Sequence, residues 1–312
     1  MSGREGEEAG GMQVQDFISS GPVTRLGLLL GRYLPRRAGY GLARTVADVI
    51  AWRKPRIYRT VRVNLCHILG PRVDGRELHR TARQVFFHAG KTYYDFFHSI
   101  SRPPEVLAEA VRVPRSLLER IELEMISGRG TLLLVTHMSN FDLAGLAVGA
   151  HGLPIQVLSL ANPGAGFRVL NCLRATQGFE ITPITHQSLR TAIRRLKSGG
   201  VVVTGVDRPV PQDQALVEFF GRPAYLPLGP ARMALRSGAA VIVGSCCYDA
   251  HQGYVLEFEG PLEVVRTGDR REDILDNTRR WAAIVEEYVR AHPEQWMMFH
   301  RVWPGSPATD IA

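Results

Sequence analysis

Long apolar runs are missing from this chain of 312 residues. No window reaches the roughly 18 consecutive apolar residues that a membrane-spanning helix needs, so we predict no transmembrane helix. Residues 1–20 are polar, acidic and rich in glycine, and no basic segment precedes an apolar stretch there, so they are not expected to be a signal peptide. We expect residues 1–20 to form a disordered lead and residues 304–312 to form a tail.

Cysteine is scarce as well, with four residues in the whole chain. Their spacing is not that of metal ligands, and Cys246 and Cys247 lie in an apolar run that predicts a buried strand. No other metal-binding cluster is apparent, so we predict no metal and no cofactor. The chain also lacks the Gly-x-Ser-x-Gly turn that presents the nucleophile of many serine hydrolases, which disfavours that class.

Acidic residues are nearly absent from one basic segment. The net charge is +8, and ten of the basic residues lie between Val23 and Arg62, where Asp48 is the single acid. Apolar residues with arginines beside them, and Trp52 at the edge, suit amphipathic helices that lie in a lipid headgroup layer. The alternatives are a helical hairpin with a solvated basic face and a nucleic-acid surface, for which no recognisable motif is present. The ten residues are Arg25, Arg32, Arg36, Arg37, Arg44, Arg53, Lys54, Arg56, Arg59 and Arg62.

The pattern of the chain changes near residue 130. Residues 21–128 are expected to be mostly helical, whereas short β-branched or leucine runs alternate with helical stretches in residues 129–303. This alternation predicts an α/β fold: a mixed, mostly parallel central sheet flanked by helices, preceded by a helical N-terminal region. The predicted strands are 132–135, 155–158, 179–182, 201–204, 239–247 and 254–258, and the predicted helices are 76–99, 140–151, 165–177, 187–198, 229–237 and 268–290.

A histidine and an aspartate with four residues between them follow the first predicted strand. His137 and Asp142 stand where that strand should end and a helix should begin. A carboxylate near an imidazole fixes its tautomer and stabilises the imidazolium, which is what a general base needs in order to activate a hydroxyl. The alternative makes Asn140 a helix N-cap and leaves Asp142 facing the helix dipole. Asp207 also falls just past a strand end, so it can line the same crevice as His137.

Several short motifs follow one another in the order of a known family. They are Val63-Asn64-Leu65, the segment from His137 to Asp142, Arg174 with Gly178, Gly205-Val206-Asp207-Arg208, Glu218-Phe219-Phe220-Gly221, Pro227-Leu228-Gly229-Pro230-Ala231, and Pro293-Glu294-Gln295-Trp296 with His300-Arg301. From about residue 60 to 303 the chain resembles the His-x4-Asp/Glu acyltransferases, most closely the branch of lipid A biosynthesis acyltransferases and phosphatidylinositol mannoside acyltransferases. It departs from that branch at Phe141, where tryptophan is usual.

The resemblance implies a glycerol-3-phosphate acyltransferase-like fold and a peripheral enzyme at the cytoplasmic face of the inner membrane. It would move an acyl chain from acyl-CoA or acyl carrier protein, as co-substrate, to a hydroxyl of a membrane glycolipid or lysolipid. We expect an anionic membrane surface and a lipid acceptor as partners, and no nucleic acid. The Asp207-Arg208 pair and the absence of a predicted membrane helix favour the phosphatidylinositol mannoside type. A catalytically idle lipid-binding protein on the same scaffold is the alternative.

The predicted site residues fall into three groups. His137 is the expected general base, with Asp142 orienting it. The candidates that contact substrate are Asn140, Arg174, Asp207, Arg208 and Glu218, and the candidates that line an acyl slot are Phe219, Phe220 and Tyr225. Ordinary surface or core positions are the alternatives for Arg174, Arg208, Glu218 and the three aromatic residues. A structural ion pair with Arg208 or another base is the alternative for Asp207.

Overall fold

The computed structural model describes residues 21–100, 102–160, 164–210 and 213–305. The predicted lead at residues 1–20 and most of the predicted tail lie outside these ranges. The helices are α1 Gly21–Tyr33, α2 Arg36–Arg53, α3 Arg56–Leu69, α4 Gly75–Ser99, α5 Pro104–Glu109, α6 Arg115–Ile126, α7 Phe141–Gly149, α8 Ala165–Thr176, α9 His186–Lys197, α10 Gly229–Ser237 and α11 Arg270–Ala291. The strands are β1 Val111–Arg112, β2 Thr131–Val135, β3 Ile155–Ser159, β4 Glu180–Pro183, β5 Val201–Gly205, β6 Gln214–Phe219, β7 Arg222–Pro227, β8 Ala240–Asp249 and β9 Gly253–Leu262.

Helices α1 to α6 form the N-terminal region, as the sequence predicts. The long helix α4 begins at the N-cap Asp74, whose carboxylate accepts the Glu77 backbone N–H at 2.6 Å. Helix α2 packs closely on α4, because a Cβ placed on Gly90 would stand only 2.9 Å from the Cβ of Ala43. None of the described helices is both long enough and apolar enough to cross a membrane.

Seven strands form one mixed sheet in the order β1-β9-β8-β2-β5-β3-β4. Strands β8, β2, β5, β3 and β4 are parallel, whereas β9 runs antiparallel to β8 and β1 runs parallel to β9. The predicted α/β fold with a mostly parallel sheet is therefore confirmed. The short strand β1 and the separate β6–β7 hairpin were not predicted from the sequence.

Helices cover both faces of the sheet. On one face the core contains Trp281 of α11, together with buried residues of α9 and α10. On the other face it contains Phe96 of α4, with residues of α5, α6, α7 and α8. Burial on both faces explains the nearly continuous apolar sequence of β2, which is buried from Thr131 to Leu134.

The register of β2 and β5 brings two loops that are distant in sequence to the same edge of the sheet. Strand β2 lies between β5 and β8, and Val135 of β2 is paired with Gly205 of β5. His137 and Asp207 each stand two residues beyond this pair, at the carboxyl ends of adjacent parallel strands. Ligands of open α/β sheets bind at this edge.

Candidate active site

The loop that carries His137 is held by the C-terminal segment of the chain. Ser139 adopts a positive φ of 43° between β2 and α7. Its backbone N–H donates to the Gln295 carbonyl at 2.9 Å, and the Met297 N–H donates to the His137 carbonyl at 2.9 Å. Residues 295–297 therefore pair with residues 137–139 through backbone hydrogen bonds, as a neighbouring strand would, and this pairing fixes the backbone conformation of the loop.

Gln295 in turn is fixed to the sheet. Its side-chain amide accepts the Tyr248 N–H at 2.7 Å and donates to the Tyr248 carbonyl at 3.0 Å, near the end of β8. This paired contact explains why a glutamine at this position stabilises the histidine loop, although the two lie far apart in sequence.

Asp207 is the carboxylate that contacts the histidine. Its Oδ1 lies 2.6 Å from His137 Nδ1, and its Oδ2 accepts the His137 backbone N–H at 2.8 Å. Trp296 Nε1 donates to the same Oδ2 at 2.8 Å. The sequence predicted only that Asp207 and His137 line one crevice, and the structure brings them into direct contact.

Asp207 is held in its charged form. Burial by itself would raise the pKa of this carboxyl, but the His137 charge and the hydrogen bonds from His137 and Trp296 outweigh burial and lower the pKa below its ordinary value. An ionised carboxylate only accepts hydrogen bonds, so the neutral imidazole must carry its proton on Nδ1. His137 Nε2 is then the nitrogen that can accept a proton, and the His137 side chain is 23% exposed.

Asp142 has a different partner from the one the sequence predicted. Its carboxylate forms an ion pair with Arg174 at 2.7 Å, and Arg174 also donates to Asn171 at 2.7 Å. Because α7 begins at Phe141, Asp142 lies in the first helical turn and faces α8. The ring of Phe141 contacts His137 instead, edge to face, with ring centroids 5.2 Å apart. The sequence led us to expect that Asp142 orients the imidazole, but the carboxylate that contacts it is that of Asp207. A catalytic role for Asp142 stays a prediction.

Further polar groups surround this pair. Tyr93 of α4 is near Asp142, since burial and then the Asp142 charge raise the pKa of its hydroxyl, while Arg174 and Arg208 oppose the rise. Burial lowers the pKa of Arg208, and the charges of Asp207 and Tyr93 act against that shift. The neutral Tyr93 hydroxyl thus lies within electrostatic range of Asp142, Arg174 and Arg208, and Arg208 lies within range of Asp207.

His300 joins these residues from the C-terminal segment. Burial and then the neighbouring charges of Arg208 and His137 together lower the pKa of His300 to about 3. Asn64 of α3 holds this segment, since its Nδ2 donates to the carbonyls of Met298 and His300 at 3.0 and 2.8 Å. The sequence motifs contain Asn64 and His300, but nothing in their spacing placed them beside His137.

The remaining predicted residues lie in other environments. Asn140 is completely buried and caps α7, accepting the Leu143 N–H at 3.3 Å and donating to the Thr92 carbonyl at 3.3 Å. Glu218 lies on the exposed face of the β6–β7 hairpin. Phe219 is completely buried between Trp296 and Trp303, whereas Phe220 lines a cavity and Tyr225 is half-buried. Their roles in substrate binding stay predictions.

The arrangement is suited to taking a proton from a substrate hydroxyl. A buried carboxylate fixes the tautomer of the imidazole and stabilises the imidazolium that forms when Nε2 accepts the proton. A base placed in this way typically contributes about 10²–10⁴-fold to the rate. Arg208 adds a cation next to the carboxylate–imidazole pair, where a developing negative charge or a phosphate is favoured.

Comparison with known proteins agrees with the motifs. Residues 23–304 match a family model described as bacterial lipid A biosynthesis acyltransferase, which confirms the resemblance read from the sequence. Phosphatidylinositol mannoside acyltransferases from two strains of Mycobacterium tuberculosis are 26% identical over 190 residues, covering 60% of this chain and 58% of theirs. The protein of the same description from Mycolicibacterium smegmatis is 26% identical over 181 residues, covering 57% of this chain and 58% of its own. The matched part thus spans less than two thirds of these relatives.

Proposed function

The chain belongs to the bacterial lipid A biosynthesis acyltransferase family, and from this premise we propose that it transfers a fatty acyl chain from an acyl thioester to a hydroxyl of a membrane glycolipid. The observation that carries the proposal is the contact of His137 Nδ1 with the buried Asp207, which leaves Nε2 to act as the base. The acceptor is of the phosphatidylinositol mannoside or lipid A type, or a lysolipid. The donor is acyl-CoA or acyl carrier protein.

The reaction proceeds by direct attack of the acceptor. His137 Nε2 takes the proton as the hydroxyl oxygen attacks the thioester carbonyl carbon, and Asp207 stabilises the imidazolium that results. The tetrahedral intermediate collapses, the carbon–sulfur bond breaks, and the imidazolium returns its proton to the leaving thiolate. The ester and the free thiol are the products, and no covalent enzyme intermediate is needed.

The two arginines near the site have different roles in this proposal. Arg174 is engaged by Asp142 and Asn171, so its main role is to fix the first turn of α7 relative to α8. Arg208 is the better candidate for contact with a substrate phosphate or with the developing oxyanion, because it adjoins the catalytic pair and its guanidinium offers a planar set of donors. Burial of Arg208 strengthens such a contact, since the surrounding dielectric is low.

We further propose that α1 and α2 dock the protein on an anionic membrane. The buried residues of α2 are all small, whereas four of its large apolar residues are exposed. Arg32 and Arg53 lie beside this outward face, 5.5 Å and 5.7 Å from the ring centroids of Tyr33 and Trp52, and Arg36 and Arg37 are exposed at the start of α2. Such a reversed distribution suits a helix pair that inserts apolar side chains between lipid headgroups. The outward residues are Leu26, Leu29, Tyr33, Leu42, Val46, Val49 and Trp52, and Trp52 is the most exposed of them at 76%.

A thioester-release assay on membranes tests the activity. The purified chain is mixed with acyl-CoA or acyl carrier protein and with vesicles that contain a phosphatidylinositol mannoside, a lipid A precursor or a lysolipid. Release of free thiol together with a new acylated lipid in the mass spectrum supports the transferase. Lipid that co-purifies with a chain showing no turnover on any of these acceptors supports the idle lipid-binding protein instead.

A further inference from the structure

A basic cavity lies where the helical region meets the β6–β7 hairpin. It encloses about 590 Å³, and its walls include Arg62 and His67 of α3, Phe220 in the hairpin turn, and Arg222 at the start of β7. Three of its lining residues are basic, and none of the lining residues in the described part of the chain is acidic. Its volume lies within the range of about 300–1,000 Å³ that small-molecule sites occupy.

The basic groups act on one another inside this cavity. Burial lowers the pKa of His67, and the positive charge of Arg222 lowers it further. Burial raises the pKa of the neighbouring Cys66 thiol, and Arg62 opposes that rise. Arg62 and Arg222 thus act electrostatically on Cys66 and His67, which are neighbours in α3. Both arginines also line the cavity, so two positive charges border the same small volume.

The wall opposite α3 is built on a constrained turn. Phe220 and Gly221 both have positive φ, 53° and 68°, and a bulky residue rarely adopts this conformation. The turn is held because Glu286 accepts the Phe220 N–H at 2.6 Å and the Arg290 guanidinium lies 4.8 Å from the Phe220 ring. These contacts hold Phe220 in the cavity wall, and Arg222 lines the same cavity two residues later, at the start of β7.

An aromatic layer separates the cavity from the catalytic histidine. The His67 ring stacks on Trp303 at 4.6 Å between centroids, and Trp303 stacks on Phe219 at 5.6 Å. Phe219 in turn contacts Trp296, which is the residue that donates to Asp207. The cavity is thus a separate site, connected to His137 through packed rings.

We propose that this cavity binds the phosphate group of an organic phosphate ester, with Arg222 and Arg62 as its cationic contacts. Arginine binds phosphate through paired donors, and the aromatic wall accommodates the organic part of the ester. The identity of the ligand rests on the proposed function, whereas binding of its phosphate group requires no chemistry at His137. The nucleotide of a thioester donor and the headgroup of a phospholipid acceptor both carry this chemical group.

Titration calorimetry on the full chain tests the site and identifies the source. Adenosine 3′,5′-bisphosphate represents the donor and glycerophosphoinositol represents the acceptor, while adenosine and inositol serve as phosphate-free controls. We expect one of the two phosphates to bind and its control not to bind. Arg222→Gln should weaken that binding about tenfold or more, because one charged contact is lost. Arg271→Gln, which changes an exposed arginine on α11, should leave it unchanged.

Two further variants keep the test decisive. Arg222 is exposed at a strand start, so Arg222→Glu should fold and should abolish phosphate binding. His137→Ala should retain it, which separates failure of this proposal from failure of the transferase proposal. The proposal is overturned if neither phosphate binds at about 1 mM. It is equally overturned if the two Arg222 variants bind as the unmodified chain does.

Discussion

His137 contacts its carboxylate through Nδ1, so substitutions at Asp207 and at His137 should have different effects on the same proton transfer. His137→Ala removes the base and should abolish acyl transfer while the protein stays folded. Asp207→Asn keeps the shape but lets an amide act on Nδ1, which favours the wrong tautomer and should lower kcat by about 10³–10⁴-fold. Steady-state rates with circular dichroism as the folding control measure both. Turnover within a few-fold of the unmodified protein for His137→Ala would refute the assignment.

Asp142 differs from Asp207, because its carboxylate forms an ion pair with Arg174 and does not contact His137. Asp142→Asn should therefore lower kcat less than Asp207→Asn does, mainly through a looser contact between α7 and α8. The same assay, run on Asp142→Asn, Arg174→Gln and the double variant, should show that the double variant is little worse than either single one. If Asp142→Asn proved as damaging as Asp207→Asn, Asp142 would have to act on the substrate directly.

Arg208 should act in binding. Arg208→Ala should mainly raise the KM for the phosphate-bearing substrate, because it removes a contact made in both the ground state and the transition state. Arg208→Lys should recover only part of this loss, since an ammonium lacks the paired donors of guanidinium. Kinetics with donor and acceptor varied separately will show which substrate is affected. An unchanged KM for both would make Arg208 a structural residue.

The sequence predicted the helices and strands that a local residue pattern marks. It missed elements whose formation depends on contacts with other parts of the chain. Strand β5 and helix α9 appear within one residue of the predicted bounds, because apolar periodicity and the pair Gly199-Gly200 mark them. The β6–β7 hairpin escaped prediction because prolines interrupt β7 and its turn is built on Phe220 rather than on a typical turn residue.

The same distinction applies to the site. His137 could be predicted because an aspartate follows it within one short loop. Its contact with Asp207 could not be predicted, because it depends on the register of β2 and β5 across 70 positions of sequence. The environment of Asp207 also depends on Trp296, which lies 89 positions further along the chain. Such contacts leave no trace in local periodicity.

Helices α1 and α2 should control membrane binding. Changing Arg32, Arg36 and Arg37 together to Gln should lower co-sedimentation with anionic vesicles, because each basic residue near the surface contributes about 1 kcal/mol. Binding should weaken with salt, since the Debye length falls from about 10 Å at 0.1 M to about 3 Å at 1 M. The matched control removes three exposed charges from α9, at Arg190, Arg194 and Lys197, and should bind normally. If the unmodified chain does not co-sediment with anionic vesicles at low salt, the docking proposal is contradicted.

At the scale of the whole molecule, two half-buried histidines should make stability depend on pH. Burial lowers the pKa of His88 to about 4 and that of His300 to about 3, both from 6.5. The unfolded chain therefore binds protons that the folded one does not, so their contribution is full above pH 6.5 and is lost as the pH falls towards 4 and then 3. The lowered pKa of Asp207 acts in the same direction at lower pH.

The free energy of unfolding in urea should thus be smaller at about pH 5 than at about pH 7. His88→Gln should reduce this difference, whereas His151→Gln, which changes an exposed histidine, should not. The charged groups near His88 are Glu294, Lys91 and His292, and all are retained in both variants. Equal stability of the unmodified protein at the two pH values would contradict the assignment.

The tether between the histidine loop and residues 295–297 has a consequence for how the protein is made. During synthesis, β2 and the His137 loop leave the ribosome more than 150 residues before the segment that closes the loop. The nascent chain therefore cannot hold Ser139 in its final conformation or complete the bonds around Asp207 until residues 295–297 have been translated. A chain that stops before Gln295 carries His137 and Asp207 but lacks the backbone bonds that hold the histidine loop and the hydrogen bond from Trp296 to Asp207.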